Sequence, residues 1–312
     1  MNLSDKKTIM PFVSLYRNVF DDIDGLLNSI KDPNGSRILL EWEPWYELGL
    51  RTQMRVSGDH DLSENEATHL EIHNLVNDTL IAGYKDYISE WAKPEIIKNH
   101  INPNSNFHED WKYVFGEFVK DWQNFDRFEG VNGEKEGWML GAVEFLKHDH
   151  EIEGLELAIG YHLDAFNSKD AAGPKAIITG TIYLNDDYEG GEISFLNEFD
   201  SSIVNFKPQK GDMIIFPSAK PFFHAAQPLT GKDKYLIRNF LLWYHSGSER
   251  YRQGQEKFGK EQWEVMQEVV RETEDLLGLY QKDVYLPGIS VFDRQHGNGV
   301  PFFAKSVRTW SE

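Results

Sequence analysis

Residues 176–244 run AIITGTIYLNDDYEGGEISFLNEFDSSIVNFKPQKGDMIIFPSAKPFFHAAQPLTGKDKYLIRNFLLWY. Short apolar segments rich in Ile, Val, Phe and Tyr alternate here with turn residues. Side chains of those types fit a pleated, half-buried surface. With the segment just upstream, the run predicts strands at Leu155–Leu163, Ala176–Leu184, Glu192–Leu196, Ile203–Lys207, Met213–Phe216, Phe222–Ala226 and Tyr235–Tyr244. Gly173-Pro174, Glu189-Gly190-Gly191 and Lys210-Gly211-Asp212 supply turns between them. So many short strands at this spacing indicate a sandwich or barrel, and a jelly roll fits best.

The flanks read differently. Ser63 and Glu66 form a capping box, and Leu70, Leu75, Ile81, Tyr84, Ile88 and Trp91 recur near helical spacing, so a helix is expected from Ser63 to Trp91. Pro94 stops it. Shorter helices are expected around Phe12–Ile30 and Trp111–Phe125, and an amphipathic one at about Lys260–Tyr280. The expected fold class is a mainly β core with flanking helices (α+β), the core being a double-stranded β-helix of jelly-roll, cupin-like type. Three regions are expected: a mainly helical part over 1–150, the core over 151–246, and a C-terminal helix and tail over 247–312.

Composition narrows the function classes. The chain has 312 residues, 40% hydrophobic and 27% charged, which is ordinary for a globular protein. Its net charge of −19 repels phosphate backbones and anionic lipid, so neither nucleic acid nor membrane is expected as a partner. Having no cysteine, the chain forms no disulfide, thiolate metal site, iron–sulfur cluster or Cys nucleophile. The N-terminus is a poor signal peptide, since its apolar stretch is broken by Pro11, and no window reaches the ~18 apolar residues of a membrane span. A soluble, cytoplasmic chain is the expectation, with oligomeric state open.

His162-Leu163-Asp164 lies where a strand gives way to a loop, and side chains two apart on extended backbone point to one face. His224 stands beside another expected strand. Two imidazoles and a carboxylate are the facial triad of non-haem Fe(II) oxygenases, which leaves three octahedral positions for a bidentate 2-oxo acid and O₂. A bare HxD is weak by itself: His108-Glu109-Asp110 repeats it, and His148-Asp149-His150 has plausible ligand spacing. Both of these lie outside the strand-rich region and are expected to be solvated surface residues.

The downstream context favours the first set. Lys234 opens the last strand, ten residues past His224, where a cation can receive the distal carboxylate of a dicarboxylic 2-oxo acid. Lys234, Leu236 and Arg238 share a face if the strand is regular. Cations turned into a barrel are costly without an anionic partner. Arg238 on that face is a second candidate for binding the co-substrate, taking the role should Lys234 not hold it, and would also suit a substrate carboxylate.

The stretch Ile182-Tyr183-Leu184-Asn185-Asp186-Asp187-Tyr188-Glu189-Gly190-Gly191-Glu192-Ile193-Ser194-Phe195 resembles the central part of the prolyl 4-hydroxylase-like Fe(II)/2-oxoglutarate-dependent oxygenases. Pro208 to Ser218, then His224, Pro228 and Lys234-Tyr235, resemble the next stretch of that family's core, so that the likeness covers residues 155–245 in all. The resemblance implies a double-stranded β-helix, Fe(II), 2-oxoglutarate and O₂, with succinate and CO₂ as co-products and ascorbate as an optional accessory. It also implies that the Tyr183 hydroxyl meets the 2-oxoglutarate carboxylate beside Lys234. One departure is visible: the family's Tyr three residues before the HxD histidine is Ile159 here, which weakens the inference to a peptidyl-proline substrate.

The leading expectation is therefore a hydroxylase, since Asp164 supplies the carboxylate that related halogenases lack. Its substrate is either a prolyl or other residue in a peptide, or a free amino acid or small acid. A non-catalytic jelly-roll binding module predicts a degraded triad, and another metal-dependent cupin needs no counterpart of Lys234. Neither prediction matches these residues.

Overall fold

The strands that position the site come from both sides of residue 150. The computed structural model describes residues 3–31, 43–44, 52–56, 66–91, 93, 96, 137–140, 143–148, 159–162, 164, 175–197, 199–218, 222–244, 285–286, 289–290 and 305–311. The first half holds β1 (Lys6–Met10), β2 (Val13–Tyr16), α1 (Ile23–Lys31), β3 (Glu43–Pro44), β4 (Thr52–Val56), α2 (Glu66–Trp91), β5 (Gly137–Leu140) and β6 (Val143–His148). The central part holds β7 (Ile159–His162), β8 (Lys175–Tyr183), β9 (Glu189–Gly190), β10 (Ile193–Asn197), β11 (Ser202–Phe206) and β12 (Met213–Pro217). Then come β13 (His224–Ala226), β14 (Leu229–Thr230), β15 (Lys234–Tyr244), β16 (Tyr285–Leu286), β17 (Ile289–Ser290) and β18 (Ser306–Thr309).

Two sheets carry the architecture. The larger runs β1-β2-β12-β8-β15-β6-β4-β3, with β5 also paired to β15. The smaller runs β18-β11-β10-β13-β7. Among the described residues every pairing is antiparallel except β11 with β18. The eight strands β6, β7, β8, β10, β11, β12, β13 and β15 divide between the sheets as a double-stranded β-helix requires.

Helix α2 covers the outer face of the larger sheet. Val76, Leu80, Tyr84, Tyr87 and Ile88 are buried on it, and each fully buried aliphatic side chain there is worth about 1.5–3 kcal/mol. The fit is close at Gly180 of β8, where an added Cβ would stand 2.6 Å from the Tyr84 hydroxyl and 3.1 Å from Leu80. Tyr84 donates to the Asn239 carbonyl of β15 at 3.1 Å, which ties the helix to the middle strand. The inner faces of β8 and β15 are thereby left to line a pocket.

Several expectations change in detail. The segment Phe12–Ile30 is not one helix: Val13–Tyr16 is a strand between β1 and β12, all four residues buried. A run that short carries no usable periodicity, and pairing with Met213–Ile215 decides its state. Helix α1 starts later, where Asp22 accepts the Gly25 amide at 2.8 Å as an N-cap. The stretch expected to be mainly helical also supplies β1, β2, β3, β4, β5 and β6 to the larger sheet, so residue 150 does not mark an edge of that sheet. The strand expected at Leu155–Leu163 is observed over Ile159–His162. The helices expected at Trp111–Phe125 and Lys260–Tyr280 lie outside the described residues, as does Ser63. No helix among the described residues is long and apolar enough to cross a membrane.

Candidate functional site

His162 ends β7 and His224 begins β13, and the antiparallel register sets the two directly opposite each other. Their ring centroids are 4.4 Å apart. Asp164, two residues past the end of β7 and 1% exposed, reaches both: Oδ1 is 3.6 Å from His162 Nε2, and Oδ2 is 3.3 Å from His224 Nε2. One nitrogen or oxygen from each residue lies within 4.8 Å of the others, and among the described residues no other such group of three occurs.

Hydrogen bonds from the surroundings fix the orientation of these atoms. His224 Nδ1 lies 3.2 Å from the Phe222 carbonyl. Assigning the ring proton to Nδ1 lets it donate there and leaves the Nε2 lone pair facing Asp164. Thr179 Oγ1 donates to Asp164 Oδ2 at 2.8 Å. Because that uses the only Thr179 hydroxyl proton, Ser218 must be the donor in its 2.8 Å contact with Thr179. Asp164 Oδ1, also buried, accepts no hydrogen bond. Leaving a buried acceptor so costs about 1–3 kcal/mol, which a cation bound there would offset. Burial pushes the Asp164 carboxyl up, but His224 and His162 outweigh it and hold the group well below the usual carboxylate range. Two imidazoles and an ionised carboxylate suit Fe(II).

The opposite wall of the pocket is a grid on three adjacent strands, β6, β15 and β8. His148 stands opposite Lys234, Leu146 opposite Leu236, and Glu144 opposite Arg238. On the other side of β15, Leu236 faces Tyr183 and Arg238 faces Thr181. Alternate residues share a face, so the pocket is lined in rows by these side chains together with the metal-ligand candidates. The row with Lys234 lies four residues along β15 from Arg238, roughly 13 Å at about 3.3 Å per residue. Between them is an apolar row, Leu146, Leu236 and the ring of Tyr183.

Lys234 is 1% exposed and donates to the Gly191 carbonyl at 2.6 Å. That carbonyl is presented by a turn in which Gly190 and Gly191 have φ of 69° and 67°, a conformation that needs glycine. Lys234 Nζ also lies 5.1 Å from the Tyr183 ring centroid. Burial raises the Tyr183 phenol well above its ordinary value, so it stays protonated and able to donate. Arg238 grips Glu144 Oε2 through Nε at 2.9 Å and Nη2 at 2.5 Å, with Nη1 3.9 Å from Asp164 Oδ1. The anion that makes this cation tolerable is thus a protein carboxylate.

The structure brings His162, Asp164, His224, Lys234, Tyr183 and Arg238 to one pocket. His148 overturns the expectation of a solvated surface residue: it is 4% exposed and lines the same pocket. The reason is β6, which pairs with β15 on one side and β4 on the other and so lies inside the sheet. Glu144, on the same strand, was not legible as a site residue either. The signal for both was the alternation Glu144, Leu146, His148 beside the buried Val143 and Phe145. Asp149, His150 and the His108-Glu109-Asp110 motif lie outside the described residues.

Residues 152–245 match the 2OG-Fe(II) oxygenase superfamily. No curated protein matches the chain. Solved structures similar to it include a viral collagen prolyl hydroxylase from Paramecium Bursaria Chlorella virus-1 in its 2OG complex, at 15% identity over 75% of this chain and 97% of that chain, TM-score 0.40. A Pseudomonas putida prolyl-4-hydroxylase matches at 13% identity over 76% and 94%, TM-score 0.38. A Trichoplax adhaerens prolyl hydroxylase in complex with a hypoxia inducible factor peptide fragment matches at 11% identity over 75% and 84%, TM-score 0.42.

Proposed function

We propose that this chain, which belongs through residues 152–245 to the 2OG-Fe(II) oxygenase superfamily, holds Fe(II) with His162, Asp164 and His224 and hydroxylates a residue within a peptide. It is a 2-oxoglutarate-dependent dioxygenase. The bound metal, with 2-oxoglutarate and O₂, supplies the oxidative decarboxylation to succinate and CO₂ that drives insertion of one oxygen into an unactivated C–H bond.

The observation that carries the reading is the polarity of the pocket along β15. Asp164 with an unsatisfied Oδ1 lies at one end, the buried Lys234 at the other, and apolar side chains lie between. A 2-oxo acid with a second carboxylate has that polarity. Lys234 takes the distal carboxylate, orienting the molecule and selecting it over monocarboxylic 2-oxo acids. Tyr183, kept protonated by burial, adds a neutral donor on the neighbouring strand. Thr179, itself held by Ser218, occupies Asp164 Oδ2 and would leave Oδ1 for the metal.

A free amino acid or small acid as substrate would need a cation to grip its carboxylate, and Arg238 already grips Glu144. With that anchor engaged, the target is a residue in a peptide, prolyl among them. The test is succinate release from 2-oxoglutarate with Fe(II), combined with mass analysis of Pro-containing peptides and free amino acids. Succinate and a peptide carrying one extra oxygen atom are expected. No succinate under any substrate would overturn the reading. Oxygen found only in a free acid would move the target to small molecules.

A further inference from the structure

We propose that His148 is a second donor to the distal carboxylate of the co-substrate, acting from β6 beside Lys234. The inference rests on the reading that this pocket takes 2-oxoglutarate, and it adds a residue to that subsite on geometry alone.

His148 and Lys234 are direct cross-strand partners. Such partners place their Cβ atoms about 4.5–5.5 Å apart and project to the same face. Both are buried, at 4% and 1% exposure, and both line the pocket at the end away from Asp164. Tyr183 sits diagonally across β15 from Lys234 on the third strand. A carboxylate in this corner therefore meets one cation from the middle strand and one neutral donor from each side.

The chemistry matches. Lys234 has three N–H donors, one of them directed at Gly191, while an ionised carboxylate offers about four lone-pair sites. A neutral imidazole brings a further N–H without adding charge beside Lys234. For packing alone, an apolar residue such as Leu146, one row along the same face, would serve as well. An imidazole at the end that also carries the buried cation points to an anion between them.

The test uses the full chain loaded with Mn(II) in place of Fe(II), titrated with 2-oxoglutarate and with 2-oxobutyrate, which has the 2-oxo acid head and no distal carboxylate. His148→Leu is expected to weaken 2-oxoglutarate about tenfold and leave 2-oxobutyrate within about twofold, as a hydrogen bond to a charged group implies. His148→Gln, which keeps an N–H donor, should recover most of the loss. In Lys234→Ala the further effect of His148→Leu should shrink, because the carboxylate is no longer held at that corner. Equal weakening of both ligands, or no weakening of 2-oxoglutarate, would overturn the proposal and assign His148 to packing. His148→Met stands in should His148→Leu not fold, and failure of both apolar variants to fold is the same overturning result. Failure of the underlying reading looks different, since the unmodified protein would then not bind 2-oxoglutarate at all.

Discussion

The two sheets that face each other across the pocket carry their chemistry in different ways. The smaller sheet presents its proposed metal ligands locally: His162 and Asp164 are two residues apart, and a single cross-strand pairing adds His224. The larger sheet assembles its wall from three strands whose contacts span long stretches of chain. Arg238 and Glu144, for instance, pair across 94 positions. Removing one residue from the first wall deletes a proposed metal ligand. Removing one from the second disturbs a row, and its neighbours share the loss. The expected effects of substitution therefore differ in kind as well as size.

The largest effect is expected on the smaller sheet. Asp164→Ala removes the one carboxylate between the two imidazoles and should abolish both succinate formation and product hydroxylation. Metal titration should show binding weakened by orders of magnitude, since His162 and His224 alone complete too few positions. His162→Ala and His224→Ala should behave alike. Full hydroxylation by Asp164→Ala would remove the distinction between the two walls, because neither would then hold the metal.

Next comes the row at Arg238. Glu144→Gln leaves the guanidinium buried with a neutral partner, and breaking such a pair costs about 3–5 kcal/mol of stability. A large drop in Tm is expected, with Arg238 drawn toward Asp164, 3.9 Å from its Nη1. Glu144→Gln with Arg238→Met should regain much of that stability, because no charge is then left buried. Were Glu144→Gln to unfold at the parent temperature, the pair would be solvated and the wall less dry than its burial implies.

That contrast also explains what the sequence disclosed. The HxD spacing is a local pattern that strand geometry converts directly into convergence. Lys234 was legible because it opens a strong strand at a fixed interval after His224. His148 and Glu144 were not, since their meaning depends on the register of β6 against β15, a pairing of distant segments that no local period encodes. The motif His148-Asp149-His150 is expected to be solvated surface, and the position of β6 inside the sheet reverses that for His148. Likewise Val13–Tyr16 is four residues long, and its strand state comes from β12 rather than from its own pattern. The jelly roll itself was readable because most of its strands are consecutive between 176 and 244, each bounded by turn residues.

A smaller effect joins the two walls. Thr179 belongs to the larger sheet but donates to Asp164, the proposed ligand beside the smaller one. Thr179→Val keeps the shape and removes that hydrogen bond, freeing Oδ2 to compete with Oδ1. Metal affinity should fall about 10- to 100-fold, the usual range for a group that orients a ligand. Thr179→Ser, which keeps the hydroxyl, should restore most of it. An unchanged Mn(II) titration for Thr179→Val would mean that the histidines orient Asp164 without help.

The smallest effect is expected at Tyr183, where the larger sheet contributes only a neutral donor beside the Lys234 cation. Tyr183→Phe leaves the ring in place, so the apolar row with Leu146 and Leu236 stays filled and folding should be unaffected. What is lost is one O–H donor to a carboxylate that Lys234 already holds, about 1.5 kcal/mol at the low end for a charged acceptor, or about tenfold in 2-oxoglutarate affinity. The pH dependence has a definite sign. Because burial raises the phenol well above its ordinary value, Tyr183 remains a protonated donor throughout the range from about pH 6 to about pH 9. The ratio of affinities between the parent and Tyr183→Phe should therefore stay flat across that range, and a phenol losing its proton within it would instead make the ratio fall as pH rises. Titration of 2-oxoglutarate at several pH values reads both quantities at once. A ratio of one at every pH would take Tyr183 out of the carboxylate corner and leave it as packing for the row beneath, with Lys234 and His148 as the groups that define the subsite.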